Sequence, residues 1–137
     1  MVRPAVIVYN IGHARAAVAA AAALSVAVTL RSAPGATSSL GPSVFRAIVD
    51  MALESDLTAD VIAVMDCGGD AGRALSALRH GIERVRVDLP PATVKRIADI
   101  AGCYGAAIDH DDGVALDLLN CDDPAAACRK WLANARK

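Results

Sequence analysis

The feature that most narrows the fold is an alternation, in which short β-branched runs are separated by stretches with helical periodicity. Ala5 to Tyr9 is the first run, and an Ala-rich helix is expected over about His13 to Leu24. Val26 to Leu30 reads as the second strand. Within Pro42 to Ser55, Phe45, Ile48, Val49, Ala52 and Leu53 recur at helical spacing and form one apolar stripe. Val61 to Met65 is the third strand. Asp70 can cap a helix over Ala71 to His80, and Gly81 supplies a left-handed stop. Val85 to Leu89 is the fourth strand. Pro91 suits the first turn of a helix that turns Val94, Ile97, Ala98 and Ala101 inward. Runs this uniformly apolar suit strands buried on both faces, and repeated βα units build parallel sheets. The expected class is therefore α/β, with repeated βα units and a mostly parallel sheet in one domain over residues 1–137. Two shapes satisfy the pattern: half of a TIM-type barrel, or an open, flavodoxin-like three-layer sheet.

Beyond Ala101 the alternation weakens. Ala106 to Asp109 and Val114 to Leu119 are the fifth and sixth strand candidates, with the tight-turn pair Asp112-Gly113 between them. A C-terminal hairpin fits there as well as another βα unit. Pro124 to about Ala135 is the last helix, behind Asp122 or Asp123, with Cys128, Trp131, Leu132 and Ala135 as its apolar stripe.

Composition removes several function classes. Aromatic residues make up 3% of the chain, so the core rests on Val, Ile and Leu and no stacking platform for single-stranded nucleic acid exists. A net charge of −1 without a long run of one sign argues against a phosphate-tracking surface. Ala16 to Leu30 carries no charge, but it is shorter than the ~20 residues that span a bilayer. It also changes period midway and is read as helix then strand, with no membrane span and no secretory signal. Cys67, Cys103, Cys121 and Cys128 show no C-x-x-C spacing, which suits reduced thiols in a cytoplasmic protein.

Parallel βα folds collect ligands at the carboxyl ends of their strands. That rim is expected to hold Asn10, the Ser32–Ser43 loop, Asp66 to Gly69, Asp88 to Pro90 and Asp109 to Asp112. In VMDCGGD, Asp66 can accept a proton, a Cys67 thiolate can bind a soft metal, and Gly68 and Gly69 let backbone approach a ligand. Turn hydrogen bonds for Asp66 and packing for Cys67 explain the same residues. SAPGA, from Ser32 through Gly35 to Ala36, is either an oxyanion cradle or a plain turn. DHDDG, Asp109 to Gly113, is either a cation site or a polar turn. The phosphate-cradling glycine patterns of nucleotide-binding folds are missing after the strands. His13 and His80 read as solvent-facing helix residues.

Taken together these pieces resemble the first half of the class II, metal-dependent fructose-bisphosphate aldolase family, whose members are TIM barrels. The family's first strand ends in Phe-Asn, its second in a Ser-x-Gly-type loop, and its third in His-Leu-Asp-His-Gly. Here these correspond to Tyr9-Asn10, to SAPGA at Ser32–Ala36 and to VMDCG at Val64–Gly68. The family's fourth strand ends in Val-Met-Ile-Asp, matched by VRVD at Val85–Asp88. Its fifth, Gly-Val-Ser-Val-Glu-Ala-Glu-Leu-Gly, is matched without a gap by GAAIDHDDG at Gly105–Gly113. The resemblance implies a proton-transferring role for Asp66, metal positions at Cys67 and Asp111, both residue types able to ligate zinc, and substrate contact by Ser32. Gly35, Gly68 and Asp88 complete the ligand-contacting set. Val64 stands where the family has a His, and the family's remaining metal and phosphate residues lie on later barrel strands.

The leading expectation is a non-catalytic, aldolase-like partial barrel that binds a small ligand, phosphorylated or not, or a partner at the strand-end rim. The rival is a metal-dependent lyase active only as an oligomer, and the third reading is an interaction domain without a ligand. A homodimer is expected, because half a barrel leaves open sheet edges. Its interface would use an edge strand or the last helix with Trp131 and Leu132.

Overall fold

A computed structural model describes residues 3–35 and 40–135, so the middle of the Ser32–Ser43 loop, including Ala36, lies outside the described residues. The elements run β1 (Ala5–Ile7), α1 (Ile11–Leu24), β2 (Val28–Arg31), α2 (Pro42–Glu54), β3 (Val61–Asp66), α3 (Ala71–Arg79) and β4 (Arg84–Arg86). They continue as α4 (Pro91–Cys103), β5 (Ala107–Ile108), β6 (Leu116–Asp117) and α5 (Pro124–Ala135). Local chemistry sets these bounds. Asn10 caps α1 by accepting the His13 N–H, and the helix stops at Ser25 in left-handed backbone. Asp70 caps α3 in the same way, and Pro42 and Pro91 occupy first turns.

The six strands form one all-parallel sheet in the order β5-β4-β3-β2-β1-β6. From β1 to β5 every crossover steps one strand in the same direction. Right-handed crossovers then put α1 to α4 on a single face. The packing agrees: α1 lies on α2, α2 on α3, α3 on α4, and α5 on the free flank of α1. A doubly wound sheet reverses direction and uses both faces. This winding does not reverse before β6, as in a barrel.

Strand residues alternate between the two faces. Val6, Val28, Leu30, Ala63, Met65, Val85 and Leu118 meet Phe45, Leu78, Cys128 and Leu132 in one buried core under the helices. Their neighbours Ile7, Thr29, Arg31, Ile62, Val64, Asp66, Arg84 and Arg86 turn to the other face. Ile7, Thr29, Arg31 and Val64 are nonetheless buried there.

The β5–β6 connection explains that burial. No hairpin forms: β6 pairs in parallel with β1, at the opposite edge from β5. Five steps of ~4.8 Å would hold the edges of a flat sheet roughly 24 Å apart. Residues 109–115 must bridge that distance while making a turn, in which Asp111 Oδ1 accepts the Gly113 N–H at 2.8 Å. The connection lies over the helix-free face, where Arg86 bonds to Asp109 and Asp111. The Asp112-Gly113 signal thus marks a turn inside a crossover rather than the tip of a hairpin.

Leu132 is buried within its own chain, and Trp131 packs against the same core, so α5 covers α1. Among the described residues, no helix is long and apolar enough to cross a membrane.

Candidate functional site at the carboxyl ends of the strands

At the carboxyl ends of β3, β4 and β5 lies a cavity of about 290 Å3, lined by Asp66, Arg86, Val87, Asp88, Asp109, His110 and Asp112. Asp66 is held by backbone from two loops. Oδ1 accepts the N–H of Gly68 at 3.0 Å and of Gly35 at 3.3 Å, and the Asp66 N–H donates to Ser32 Oγ at 2.9 Å. Gly68 reaches this position with a φ of 54°, and Gly35 lies directly against its backbone. The loops after β2 and β3 therefore clamp one carboxyl group and leave Oδ2 for the cavity.

The wall beyond it extends the parallel ladder past the strands. The Cys67 N–H donates to Arg86 O and the Asp88 N–H to Gly68 O, each at 2.8 Å, which brings Asp88 into the lining. Arg86 Nη1 reaches Asp109 Oδ2 at 2.6 Å and Asp111 O at 2.7 Å, fastening the connection over the cavity. Arg31 lies on the same face and feels the charges of Arg86, Asp109, Asp111 and Asp66. Only 8% of it is exposed, and neither Nε nor Nη2 has a hydrogen-bond partner. Burial, followed by the Arg86 charge, pulls its pKa below the ordinary guanidinium value.

The candidates from the sequence divide into groups. Asp66 and Asp88 line the cavity. Ser32, Gly35 and Gly68 gather around Asp66 as its supports, since the Ser32 hydroxyl is buried and the two glycine N–H groups are engaged. Cys67 faces the helix-side core and donates weakly to Met65 O at 3.7 Å. Asp111 holds its own turn through Oδ1. The zinc pair implied by the resemblance is thus split between two faces of the sheet. Among the described residues, no group of three or more His, Cys, Asp or Glu is placed to hold a metal ion. His80 is exposed and contacts Ser76 O, whereas His13 is not a bare surface residue. Its Nδ1 accepts the Tyr9 N–H at 3.1 Å, and the two rings meet edge to face.

Arg31 and Arg86 escaped the sequence reading. Their signal was present, because Arg31 ends an apolar strand and RVRVD alternates charged with apolar residues.

Burial also sets a pH dependence. It pushes the Cys67 thiol up to about 12 and that of Cys128 to about 11, and burial with the Asp117 contact pushes Tyr9 to about 12. Each group holds its proton more tightly when folded, so its contribution is complete below the unfolded value and fades as pH rises through the folded one. Unfolding free energy should stay level to about pH 9 and fall towards pH 12. Urea unfolding across that range checks this, and Cys67→Ala should flatten the decline. A constant stability to pH 12 would count against the buried thiols.

In comparison with known proteins, the chain matches no family model and no curated protein.

Proposed function

We propose that this chain is a non-catalytic, aldolase-like partial barrel that binds a small phosphorylated molecule at the strand carboxyl ends. The observation that carries this reading is the placement of the cavity. It opens where parallel βα folds take their ligands, beside a clamped carboxylate and under a connection tied down by Arg86. The barrel-like winding and the position of Asp66 at the end of β3 support the aldolase resemblance. The separation of Cys67 from Asp111 favours binding over metal-dependent cleavage. The four unpaired cysteines suit a reducing, cytoplasmic setting.

Calorimetric titration with glycerol 3-phosphate tests the reading. Saturable binding is expected, weakened roughly tenfold in Asp66→Asn, which loses the carboxylate oxygen facing the cavity. Absence of binding rejects the site. Zinc-dependent cleavage of a ketose phosphate by the same protein would turn the reading to the lyase. Sedimentation of these samples at micromolar concentration addresses assembly. The short outer strands β5 and β6 leave two open edges, and the proposal includes a homodimer joined there, burying more than about 1,000 Å2. A monomer mass removes that part alone.

A further inference from the structure

Among the described residues, Arg31 alone has two buried side-chain nitrogens without a hydrogen-bond partner. It is more than nine-tenths buried, and two of its nitrogens, Nε and Nη2, are buried without a partner. These are the two nitrogens whose N–H bonds project side by side along one edge of a guanidinium. That edge is the one that grips a carboxylate or phosphate with two parallel hydrogen bonds. A second guanidinium stands near it. Arg86 is close enough to disfavour the Arg31 charge, and it spends only Nη1 on the described protein.

Asp109, Asp111 and Asp66 lie near enough to favour the Arg31 charge, but none of them is hydrogen-bonded to its Nε or Nη2. Asp109 is taken by Arg86 at 2.6 Å, Asp66 Oδ1 accepts two backbone N–H groups, and Asp111 Oδ1 closes its own turn. One buried cation therefore lacks a hydrogen-bonded counter-charge, next to a cavity whose wall contains Arg86. Buried guanidiniums are ordinarily paired, and the Nε/Nη2 edge of Arg31 is not, whereas Arg86 holds Asp109.

We infer that the Nε/Nη2 edge of Arg31 is the anchor of the rim site and takes a small oxyanion, a phosphate or a carboxylate, in bidentate contact, with Arg86 on its other side. This rests on the rim being a ligand site and specifies which chemistry it recognises. The neutral part of the ligand would then lie towards Asp66 and Asp88, whose carboxylates suit hydroxyl donors.

The measurement is a proton–nitrogen correlation spectrum of the full chain, following the Arg31 Nε–H signal together with the amides of Asp88 and His110. Inorganic phosphate, acetate and glycerol 3-phosphate are titrated separately. The expected result is a saturable shift of the Arg31 signal with an oxyanion. A shift with phosphate alone assigns a phosphoryl ligand, and one with acetate alone assigns a carboxylate. Arg31→Lys should weaken oxyanion binding at least tenfold although the charge is kept, because an ammonium cannot make the fork. Arg84→Lys should leave it unchanged. Arg31→Met should abolish oxyanion-dependent stabilisation while leaving the ligand-free protein at least as stable as the parent, an outcome a purely structural arginine would reverse.

Should glycerol 3-phosphate move the Asp88 and His110 amides but not the Arg31 signal, the anchor is overturned and the rim site stands. If nothing moves, both fail. Should Arg31→Lys not fold, the Arg31 signal in the parent chain still decides.

Discussion

Gly35→Ala is expected to lower stability by about 3 kcal/mol, near the upper end for overpacking, and to abolish ligand binding at the rim. A Cβ at residue 35 would stand 2.5 Å from Gly68 N, 2.7 Å from the Cys67 carbonyl carbon and 2.8 Å from Gly68 Cα. All three atoms belong to backbone, so no side chain can turn aside to make room. Relief requires separating the loops after β2 and β3, and that movement withdraws the Gly35 N–H from Asp66. Stability and site geometry should therefore fail together. Thermal melting would fall by roughly 10 °C for a domain of this size. Gly102→Ala is the matching control of opposite sign. That glycine lies in α4 with nothing within 4 Å of an added Cβ, so the exchange should stabilise by about 0.5–1 kcal/mol. A Gly35→Ala protein that melts with the parent would show that the two loops do not touch as described.

The same region shows how far the sequence could be read. The strand-end rim was legible because the strands are apolar and their terminal residues are not, and Ser32 and Asp66 do meet. A period of two also carried information that motif matching overrides. Asp66 and Cys67 are adjacent in an extended chain, so their side chains point to opposite faces and cannot both enter one site. The place of β6 was not legible. Its paired segment is two residues long, and Asp112-Gly113 satisfies a hairpin equally well. What decides its position is tertiary: β1 has a free edge, α1 has a free flank, and β6 with α5 covers both. Arg31 was hidden for a related reason. A cation closing a strand reads as the first residue of the loop until tertiary packing buries it.

Phe45→Ala should produce the largest change in stability, a loss of about 3–5 kcal/mol. Phe45 is the chain's single phenylalanine and is fully buried on the sheet-facing side of α2. Much of the helix surface is alanine, which fills space without supplying much apolar area. The ring belongs to the same buried core as Leu30, Val49 and Met65, and its apolar area there has no ready substitute. A domain of this size has roughly 5–15 kcal/mol in total, so the variant approaches the limit of folding. Its urea midpoint should drop by roughly 2 M. Val44→Ala, one position earlier and half exposed, should stay within about 0.5 kcal/mol of the parent. Equal midpoints for the two variants would mean that α2 does not present Phe45 to the sheet.

The pairing of β6 with β1 also orders events in time. Synthesis makes β1 first and its outer neighbour last, with Val6 waiting for Leu116 and Ile7 for Asp117. From β1 to β5 each new strand can join its predecessor after a modest stretch of chain, as in proteins with mostly local contacts. The β1–β6 contact joins strands farther apart in sequence than any other pair in the sheet. Until residues 116–132 leave the ribosome, the β1 edge lacks its outer strand and α1 lacks the cover of α5. The nascent protein thus carries an unpaired strand and an uncovered alanine-rich helix until β6 and α5 have been made, the kind of surface that chaperones hold.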